Sequence, residues 1–346
     1  MSGALLVAVL RDPVSASRLA PHDWNALIAA ARAERLIGTL AVLLADSPVP
    51  AAVAPILADA RDEAEREARQ ALWEADRAVA ALAGTGIAVI LLKGTAYAAA
   101  GLRAGRGRFI GDLDILVPRD RLEAAEAAIL AAGWEWVKPD PYDDDYYRRW
   151  MHELPPMIHK ERDRMIDVHH TVLPLTARQT PDATAMIADS VALDERLYVL
   201  SSTDRICHAA AHLMADGDLS GGLRNLWDIH CLCMEAEAAE DDFFLSLFET
   251  AAQHGLTYSV LRALRLSHRI YGTRVKAYSS PITVDYRPHK SDDLFIARLL
   301  ARDGWGRETR KMLRFAFFVR SHWLRMPPLM LARHLWTKWR KGHRPA

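Results

Sequence analysis

Three short apolar runs interrupt a chain that otherwise has the composition of helices. They span residues 87–92, 109–117 and 165–169, and each is rich in isoleucine, leucine or valine. Runs of this length, bounded by glycine or charged residues, are typical of buried β-strands. The alanine-rich, charged segments around them are typical of helices. We therefore expect an α+β fold, in which a small mixed β-sheet core is flanked by helical regions.

This pattern divides the 346 residues into three parts. Residues 1–84 form the predicted N-terminal helical region, and residues 85–175 form the predicted α/β core. Within the core, residues 138–163 are predicted to be irregular, with a solvated loop of aspartates and tyrosines. Residues 176–346 form the predicted C-terminal helical domain, which ends in a basic, tryptophan-rich segment.

Composition excludes several classes of protein. Cys207, Cys231 and Cys233 are the three cysteines, which is too few for a disulfide framework and fits a reducing compartment. The apolar run near the N-terminus is short and no basic residue precedes it, so we expect no signal peptide. No apolar stretch approaches the roughly 20 residues that a membrane span needs. We therefore expect a cytoplasmic protein.

The second apolar run carries two carboxylates, Asp112 and Asp114. Residues i and i+2 of a strand project to the same face, so these side chains should lie side by side. Two like charges in a buried setting repel each other, and a divalent cation such as Mg²⁺ or Mn²⁺ removes the repulsion. Asp167, in the third run, is the best third ligand for a two-metal site. The alternative is a pair of aspartates at an edge strand or a turn, with no metal.

A phosphate site is suggested upstream, where Lys93, Gly94 and Thr95 follow the first run. Glycine lets a phosphate approach the backbone, and lysine can pair with it as a point charge. Arg108, four residues before Asp112, could clamp a phosphate as well. The alternatives are an ordinary strand-to-helix connection and a solvated loop arginine.

Together these motifs resemble the polymerase-β-type nucleotidyltransferase superfamily. Within it, "LLKGTAYAAAGL", "RGRFIGDLDILV" and "HELPPMIHKERDRMIDVHHTVLP" look like the bacterial family of uncharacterised nucleotidyltransferases. The resemblance implies that the metal carboxylates are Asp112, Asp114 and Asp167. It also implies that the residues at the nucleotide phosphates are Lys93, Gly94, Thr95 and Arg108.

Two histidines are placed near these motifs. His169 lies two residues after Asp167, so it should share a strand face with it, and the family pattern has histidine there. It could bind metal, position the acceptor or hold Asp167, or it could be a polar neighbour without a role. His152 could line the acceptor side of the same cleft or lie in a loop.

A second cluster suggests a different chemistry. His208 and His212 are one helical turn apart, and Asp216 extends the same face. With Asp228 they would suggest a histidine–aspartate metal phosphohydrolase. A buried polar cluster that joins two helices is the interpretation we prefer, because no glutamate occupies the second place of an HExxH motif.

The C-terminal segment is strongly basic, although lysine plus arginine equal aspartate plus glutamate over the whole chain. From residue 301 onward Asp303 and Glu308 are the only acids. The basic residues are Arg302, Arg307, Arg310, Lys311, Arg314, Arg320, Arg325, Arg333, Lys338, Arg340, Lys341 and Arg344. This end could contact an anionic membrane surface or RNA, or form a last helix with a charged outer face.

The leading hypothesis is a Mg²⁺-dependent nucleotidyltransferase. It would transfer a nucleoside monophosphate from a nucleoside triphosphate, with ATP the expected donor, to a hydroxyl-bearing acceptor, and release pyrophosphate. The acceptor could be a small molecule, a peptide or an RNA. The alternatives are the phosphohydrolase and a non-catalytic protein that binds a nucleotide or a partner.

Overall fold

A single seven-stranded mixed sheet organises the chain in a computed structural model. The structure describes residues 2–138, 140–215, 217–275, 289–326, 331–332 and 336. The strands are β1 Val89–Leu91, β2 Leu113–Leu116, β3 Trp134–Trp136, β4 Met157–His159, β5 Met165–His169, β6 Val191–Ala192 and β7 Leu197–Val199. Their order across the sheet is β3-β4-β5-β2-β1-β7-β6. The predicted α+β class is confirmed.

Helices precede, interrupt and follow the strands. Those before the sheet are α1 Ser2–Arg11, α2 Pro21–Ala33, α3 Ile37–Leu43 and α4 Ala54–Leu82. Those between strands are α5 Lys93–Ala99, α6 Leu122–Ala131, α7 Pro141–Trp150 and α8 Ala183–Ala188. Those after it are α9 Ser202–Ala215, α10 Gly222–Ala239, α11 Phe243–Gln253, α12 Thr257–Tyr271, α13 Lys290–Leu299 and α14 Lys311–Arg325. One continuous cluster of buried apolar residues joins these groups, from Leu6 in α1 to Phe317 in α14.

The centre of the sheet is the pair β2 and β5, which run parallel. β1 pairs antiparallel with β2 on one side, and β4 pairs antiparallel with β5 on the other. Because β2 has a neighbour on both edges and every one of its residues is buried, its polar side chain is held in the interior.

Two glutamates of the long helix α4 bind the segments that precede the central strands β2 and β5. The Glu67 carboxylate accepts a hydrogen bond from the backbone N–H of Ile110, at 2.7 Å, just before β2. Glu74 pairs with Arg162, at 2.8 Å, in the turn between β4 and β5. The N-terminal region is thus part of the same packed unit as the sheet.

Two predictions about the middle of the chain were wrong. Residues 141–150 form the helix α7, where we expected an irregular loop. Asp140 caps this helix by accepting from the backbone N–H of Tyr142, at 2.8 Å, and Pro141 fits the first turn. The strand β4 also lies inside the stretch expected to be irregular.

The sheet continues beyond residue 175, where the sequence predicts the start of the C-terminal domain. β7 pairs parallel with β1, and β6 pairs with β7. These strands are three and two residues long, too short to show a hydrophobic period. The boundary at 175 stays a prediction about folding units, but it does not mark the edge of the sheet.

Some of the basic residues near the C-terminus form ion pairs within the protein. Arg302 pairs with Glu34 of the first helical region at 2.7 Å, and Arg314 pairs with Glu308 at 2.6 Å. The last part of the predicted basic segment, including residues 337–346, lies outside the described residues. Among the described helices, none has both the length and the apolar composition that crossing a bilayer requires.

A close backbone contact sets the path of the loop before β2. Gly107 has a φ of 65°, and a Cβ there would lie 2.4 Å from the carbonyl oxygen of Gly38 in α3. Gly101 has a similar φ of 67°, but a Cβ there would meet nothing within 4 Å. Both positions favour glycine, but only Gly107 also lacks space.

We predict that Gly107→Ala destabilises the protein more than Gly101→Ala does. Each variant places a side chain in the left-handed region, at a cost of roughly 1–2 kcal/mol. Gly107→Ala adds a clash with backbone that cannot move without shifting α3, at a further cost of about 1–3 kcal/mol. Urea unfolding of the two variants measures the difference. Equal losses of stability would contradict the close contact.

Candidate active site

The register of β2 against β5 brings two predicted carboxylates together. Asp114 stands directly opposite Asp167 in the parallel pair, and Leu116 stands opposite His169. Residues opposite each other across two strands point to the same face, so both carboxyl groups project from one side of the sheet. Asp114 is buried at the centre, whereas Asp167 is partly open to solvent.

Asp112 completes a group of three carboxylates. It precedes β2 by one residue and is exposed. One carboxylate oxygen each of Asp112, Asp114 and Asp167 can be chosen so that all three lie within 4.8 Å of one another. Three oxygen ligands at such separations are the donor set that Mg²⁺ or Mn²⁺ accepts.

Lys93 is bound to this group more directly than the sequence predicted. Its Nζ donates to Oδ1 of Asp114 at 2.6 Å, although the sequence suggested only a phosphate partner. Burial acts against its charge, but Asp114, with Asp112 and Glu153, raises the pKa of Lys93 above its ordinary value. Lys93 is therefore a fixed positive charge beside the carboxylates.

His169 lies against the other side of the same carboxylate. Its Nε2 is 2.9 Å from Oδ1 of Asp114. Burial opposes ionisation of Asp114, but Lys93 and His169 outweigh it and hold the pKa of this carboxyl well below its usual range. A carboxylate accepts and cannot donate, so Nε2 of His169 carries the proton in this contact.

Glu153 is a fourth carboxylate that the sequence reasoning did not single out. Its Oε2 lies 3.4 Å from Nε2 of His169 and 3.5 Å from Nε2 of His152. A backbone bridge between Glu153 and His169 holds the two segments together. The signal available was the position of Glu153 beside His152 in "HELPPM", but only the fold brings that loop next to β5.

Charge is unevenly balanced across the group. Burial, then Glu153 and Asp114, raise the pKa of Asp167 to about 7. Burial, then His169 and His212, lower the pKa of His152 to about 2, so His152 is neutral. The negative charge of Asp114 is thus balanced by Lys93 and His169. Asp167, by contrast, is harder to ionise because it lies beside the negative charges of Glu153 and Asp114.

Lys93 also lines a cavity of about 350 Å³. Its lining carries four cationic side chains, Arg35, Lys93, Arg108 and Arg224. The helices α9 and α10 add His208, His212, Asn225 and Asp228. The N-terminal helices, the sheet unit and the C-terminal helices therefore all contribute to one cavity.

Arg108 is not a solvated loop residue, because its guanidinium is already paired within the protein. Its guanidinium forms an ion pair with Asp228 of α10 and lies 5.7 Å from the ring centroid of Tyr97. Asp228 also accepts from Arg224 at 2.8 Å, and Arg224 donates to the hydroxyl of Thr39 at 2.6 Å. One carboxylate thus holds two arginines at the cavity wall.

Gly94 and Thr95 do not line this cavity. A Cβ on Gly94 would lie 2.6 Å from Nε of Arg108, so the missing side chain leaves room for the arginine. Thr95 is buried, and its hydroxyl has no hydrogen-bond partner among the described residues. The structure therefore relates Gly94 to the placement of Arg108, a role that its sequence position did not suggest.

His208, His212 and Asp228 form no metal-binding group among the described residues. His208 and His212 have ring centroids 6.4 Å apart, and Asp228 is occupied by the two arginines. Among the described residues, the groups able to hold a metal are Asp112–Asp114–Asp167 and His152–Glu153–His169. Asp216 lies outside the described residues.

One comparison with known proteins gives a match. The model of a family described as uncharacterised nucleotidyltransferase matches residues 20–272. This range runs from α2 to α12 and includes the sheet, the carboxylates and the cavity. No curated protein and no solved structure matches the chain. The resemblance inferred from the sequence motifs is confirmed.

We predict a strong energetic coupling between Lys93 and Asp114. Lys93→Met and Asp114→Asn each leave a buried group without its partner, and we expect each to cost about 3–5 kcal/mol. The double variant should cost clearly less than the sum, because neither charge is then left alone. Chemical denaturation of the four proteins measures the coupling.

The exposed pair Arg149 and Asp145, 2.6 Å apart on α7, is the control for this cycle. Its coupling should stay below about 1 kcal/mol, because solvent screens it. Additive losses at Lys93 and Asp114 would show that the buried pair contributes nothing beyond its separate side chains.

We also predict that Asp167 makes stability depend on pH in the absence of divalent cations. Its pKa of about 7 in the folded protein lies above the value of about 4 in an unfolded chain. The folded state therefore binds this proton more tightly, and its contribution is complete below about pH 4 and is lost as the pH rises through about 7. Between about pH 5 and pH 8 the native protein should lose about 2–3 kcal/mol relative to Asp167→Asn.

Paired unfolding experiments on the native protein and Asp167→Asn, with a chelator present, measure this difference. A stability gap that stays constant between the two pH values would contradict the raised pKa.

Proposed function

The chain belongs to the uncharacterised nucleotidyltransferase family, and from this premise we propose a metal-dependent reaction at the three carboxylates. Nucleoside monophosphate passes from a nucleoside triphosphate to a hydroxyl-bearing acceptor. The acceptor oxygen forms a bond to the α-phosphorus, the bond from that phosphorus to the bridging oxygen breaks, and pyrophosphate leaves. The observation that carries the proposal is the convergence of Asp112, Asp114 and Asp167 beside a cationic cavity.

The residues present fit Mg²⁺ or Mn²⁺ in the chemistry of their donors. All three are carboxylates, the ligands that these hard cations prefer, and Asp114 is held ionised by Lys93 and His169. Asp112, Asp114 and Asp167 would hold the ions. When bound, such ions neutralise phosphate charge and make an acceptor hydroxyl more acidic.

Asp114 acts in this proposal as a fixed ligand. Two contacts to Oδ1, from Lys93 and His169, restrict the rotation of this carboxylate. Restricting a ligand in advance lowers the cost of reaching the reactive geometry. Lys93 connects the two halves of the site, because it holds Asp114 and lines the cavity as well.

The cavity is the proposed position of the triphosphate. Its volume of about 350 Å³ is in the range of small-molecule sites. Arg35, Lys93, Arg108 and Arg224 supply positive charge, and Asp228 keeps two of the arginines in place before any ligand arrives. A triphosphate there would extend from the carboxylates into the space between α5 and α10.

The acceptor is proposed to enter beside His152 and Glu153, next to the larger cavity, with which the smaller cavity there shares His212. A small cavity of about 70 Å³ is lined by His152 and Met151 there. His152 is neutral, and its buried Nδ1 has no hydrogen-bond partner among the described residues, so it can bind a hydroxyl. Asp167 is the carboxylate proposed to take the hydroxyl proton as the new bond forms.

We predict that the purified protein with Mg²⁺ transfers label from an α-labelled nucleoside triphosphate to a component of cell extract. ATP is the first donor to test. Asp112→Asn and Asp167→Asn should lower transfer by at least about a hundredfold, because each removes a charge from the reacting centre. Asp112 is exposed, so its variant should fold normally.

Asp145→Asn is the matched control, because Asp145 is exposed and its ion pair within the described residues is with Arg149 on the same helix. Its transfer should equal that of the native protein. Transfer that survives Asp112→Asn would contradict the carboxylate site. Tight binding of Mg-ATP without transfer or pyrophosphate release, across nucleotides and extracts, would favour the non-catalytic alternative.

A further inference from the structure

The helix α14 exposes an apolar face that the proposed reaction does not use. Met312, Phe315, Val319 and Trp323 are 81%, 61%, 50% and 49% exposed. They follow one another at spacings of three, four and four residues, so they lie along one side of the helix. Ala316, four residues after Met312, is exposed on the same side. We name these five residues the outer face of α14.

The opposite side of the same helix is anchored in the protein. The ring of Phe317 packs against Phe295, with centroids 4.7 Å apart. Arg320 donates to the backbone carbonyl of Met214 at 3.0 Å, and Arg325 donates to that of Ala215 at 2.7 Å. The helix therefore cannot turn its outer face inward without losing these contacts.

The part of the sequence that begins just before this helix carries charge of one sign, although Arg314 of the helix pairs with Asp218 and Glu308. Residues 309–346 contain ten lysines and arginines and no aspartate or glutamate. Because the whole chain has a formal net charge of zero, the remaining residues carry ten net negative charges. An anionic surface would repel most of the molecule and attract this end, which orients the protein before contact.

Apolar and basic side chains lie next to each other at the outer face. Arg310 and Lys311 are exposed at the start of α14. Arg178, which is exposed and comes from another part of the chain, lies 5.4 Å from the ring centroid of Trp323. Tryptophan and phenylalanine beside arginine and lysine are the composition of helices that lie in the interface of a bilayer.

We infer that the outer face of α14 docks the protein on an anionic lipid bilayer. The helix lies flat, with Met312, Phe315, Val319 and Trp323 among the acyl chains and the basic residues at the phosphate level. Apolar burial and charge attraction are both needed, because either signal alone gives weak binding. RNA bases could stack on Phe315 and Trp323, but RNA would leave the aliphatic side chains of Met312 and Val319 exposed to water.

This helix also reaches the acceptor side of the site. Arg325, at its end, lines the small cavity that contains His152. Arg325 and Leu324 line a neighbouring cavity of about 200 Å³ with Leu173 and Tyr258. Docking through α14 therefore involves the same helix that borders the proposed entrance of the acceptor.

Vesicle flotation of the full chain tests the inference. We expect the native protein to float with vesicles of phosphatidylcholine mixed with phosphatidylglycerol, and not with vesicles of phosphatidylcholine alone. High salt should reduce flotation, since it screens the charges. The double variant Phe315→Ser/Trp323→Ser should lower the bound fraction by at least about tenfold, since it removes two aromatic anchors.

Trp73→Ser is the matched control, because Trp73 is 48% exposed but lies on α4. It should float as the native protein does. No flotation of the native protein with anionic vesicles would overturn the inference. So would an equal loss in Trp73→Ser, or flotation that the double variant retains.

Sedimentation velocity without lipid tests whether a second copy of the chain, instead of a bilayer, covers the outer face of α14. We expect the native protein and the double variant to have the same mass. A native dimer that the double variant abolishes would assign the face to a second copy and overturn the lipid assignment. Binding of single-stranded RNA by the native protein, together with no flotation on anionic vesicles, would assign the end to RNA instead and overturn the lipid assignment.

Discussion

The contact of Lys93 with Asp114 is the constraint on which the site depends. A carboxylate buried in the middle of a sheet is costly unless a positive charge stays beside it. Lys93 supplies that charge at 2.6 Å, and His169 adds a second contact at 2.9 Å. With Asp114 held ionised, Asp112 and Asp167 form a group whose negative charge is only partly balanced. A bound cation would balance the remaining negative charge. Without one, three neighbouring carboxylates would not stabilise the surrounding core.

The rest of the fold positions this pair. β2 carries Asp114 and β5 carries Asp167 and His169, so one parallel register sets three side chains at once. α4 holds the chain on both sides of these strands through Glu67 and Glu74. The C-terminal helices contribute through Asp228, which binds Arg108 and Arg224. The cavity therefore depends on all three regions of the chain.

The sequence predicted which residues belong to the candidate site better than it predicted which residues contact each other there. Period-two spacing and apolar neighbours were sufficient to select Asp112, Asp114 and Asp167, because these signals are local. The partner of Lys93, the pairing of Arg108 with Asp228 and the presence of Glu153 depend on contacts between distant segments, which no local pattern encodes. α7 was missed for a different reason: its Asp140 cap and Pro141 are helix-start signals, but prolines and an acidic–tyrosine cluster resemble a loop. β6 and β7 were too short to be seen.

Electron paramagnetic resonance of Mn²⁺ can show whether the three carboxylates bind a cation, because it reports binding without any knowledge of the acceptor. We predict that the native protein binds Mn²⁺ and that Mg²⁺ competes for the same site. Asp112→Asn/Asp167→Asn should abolish binding, whereas Asp145→Asn should leave it unchanged. Equal binding by the native protein and Asp112→Asn/Asp167→Asn, or no binding by the native protein with nucleoside triphosphate present, would contradict a cation site at these carboxylates.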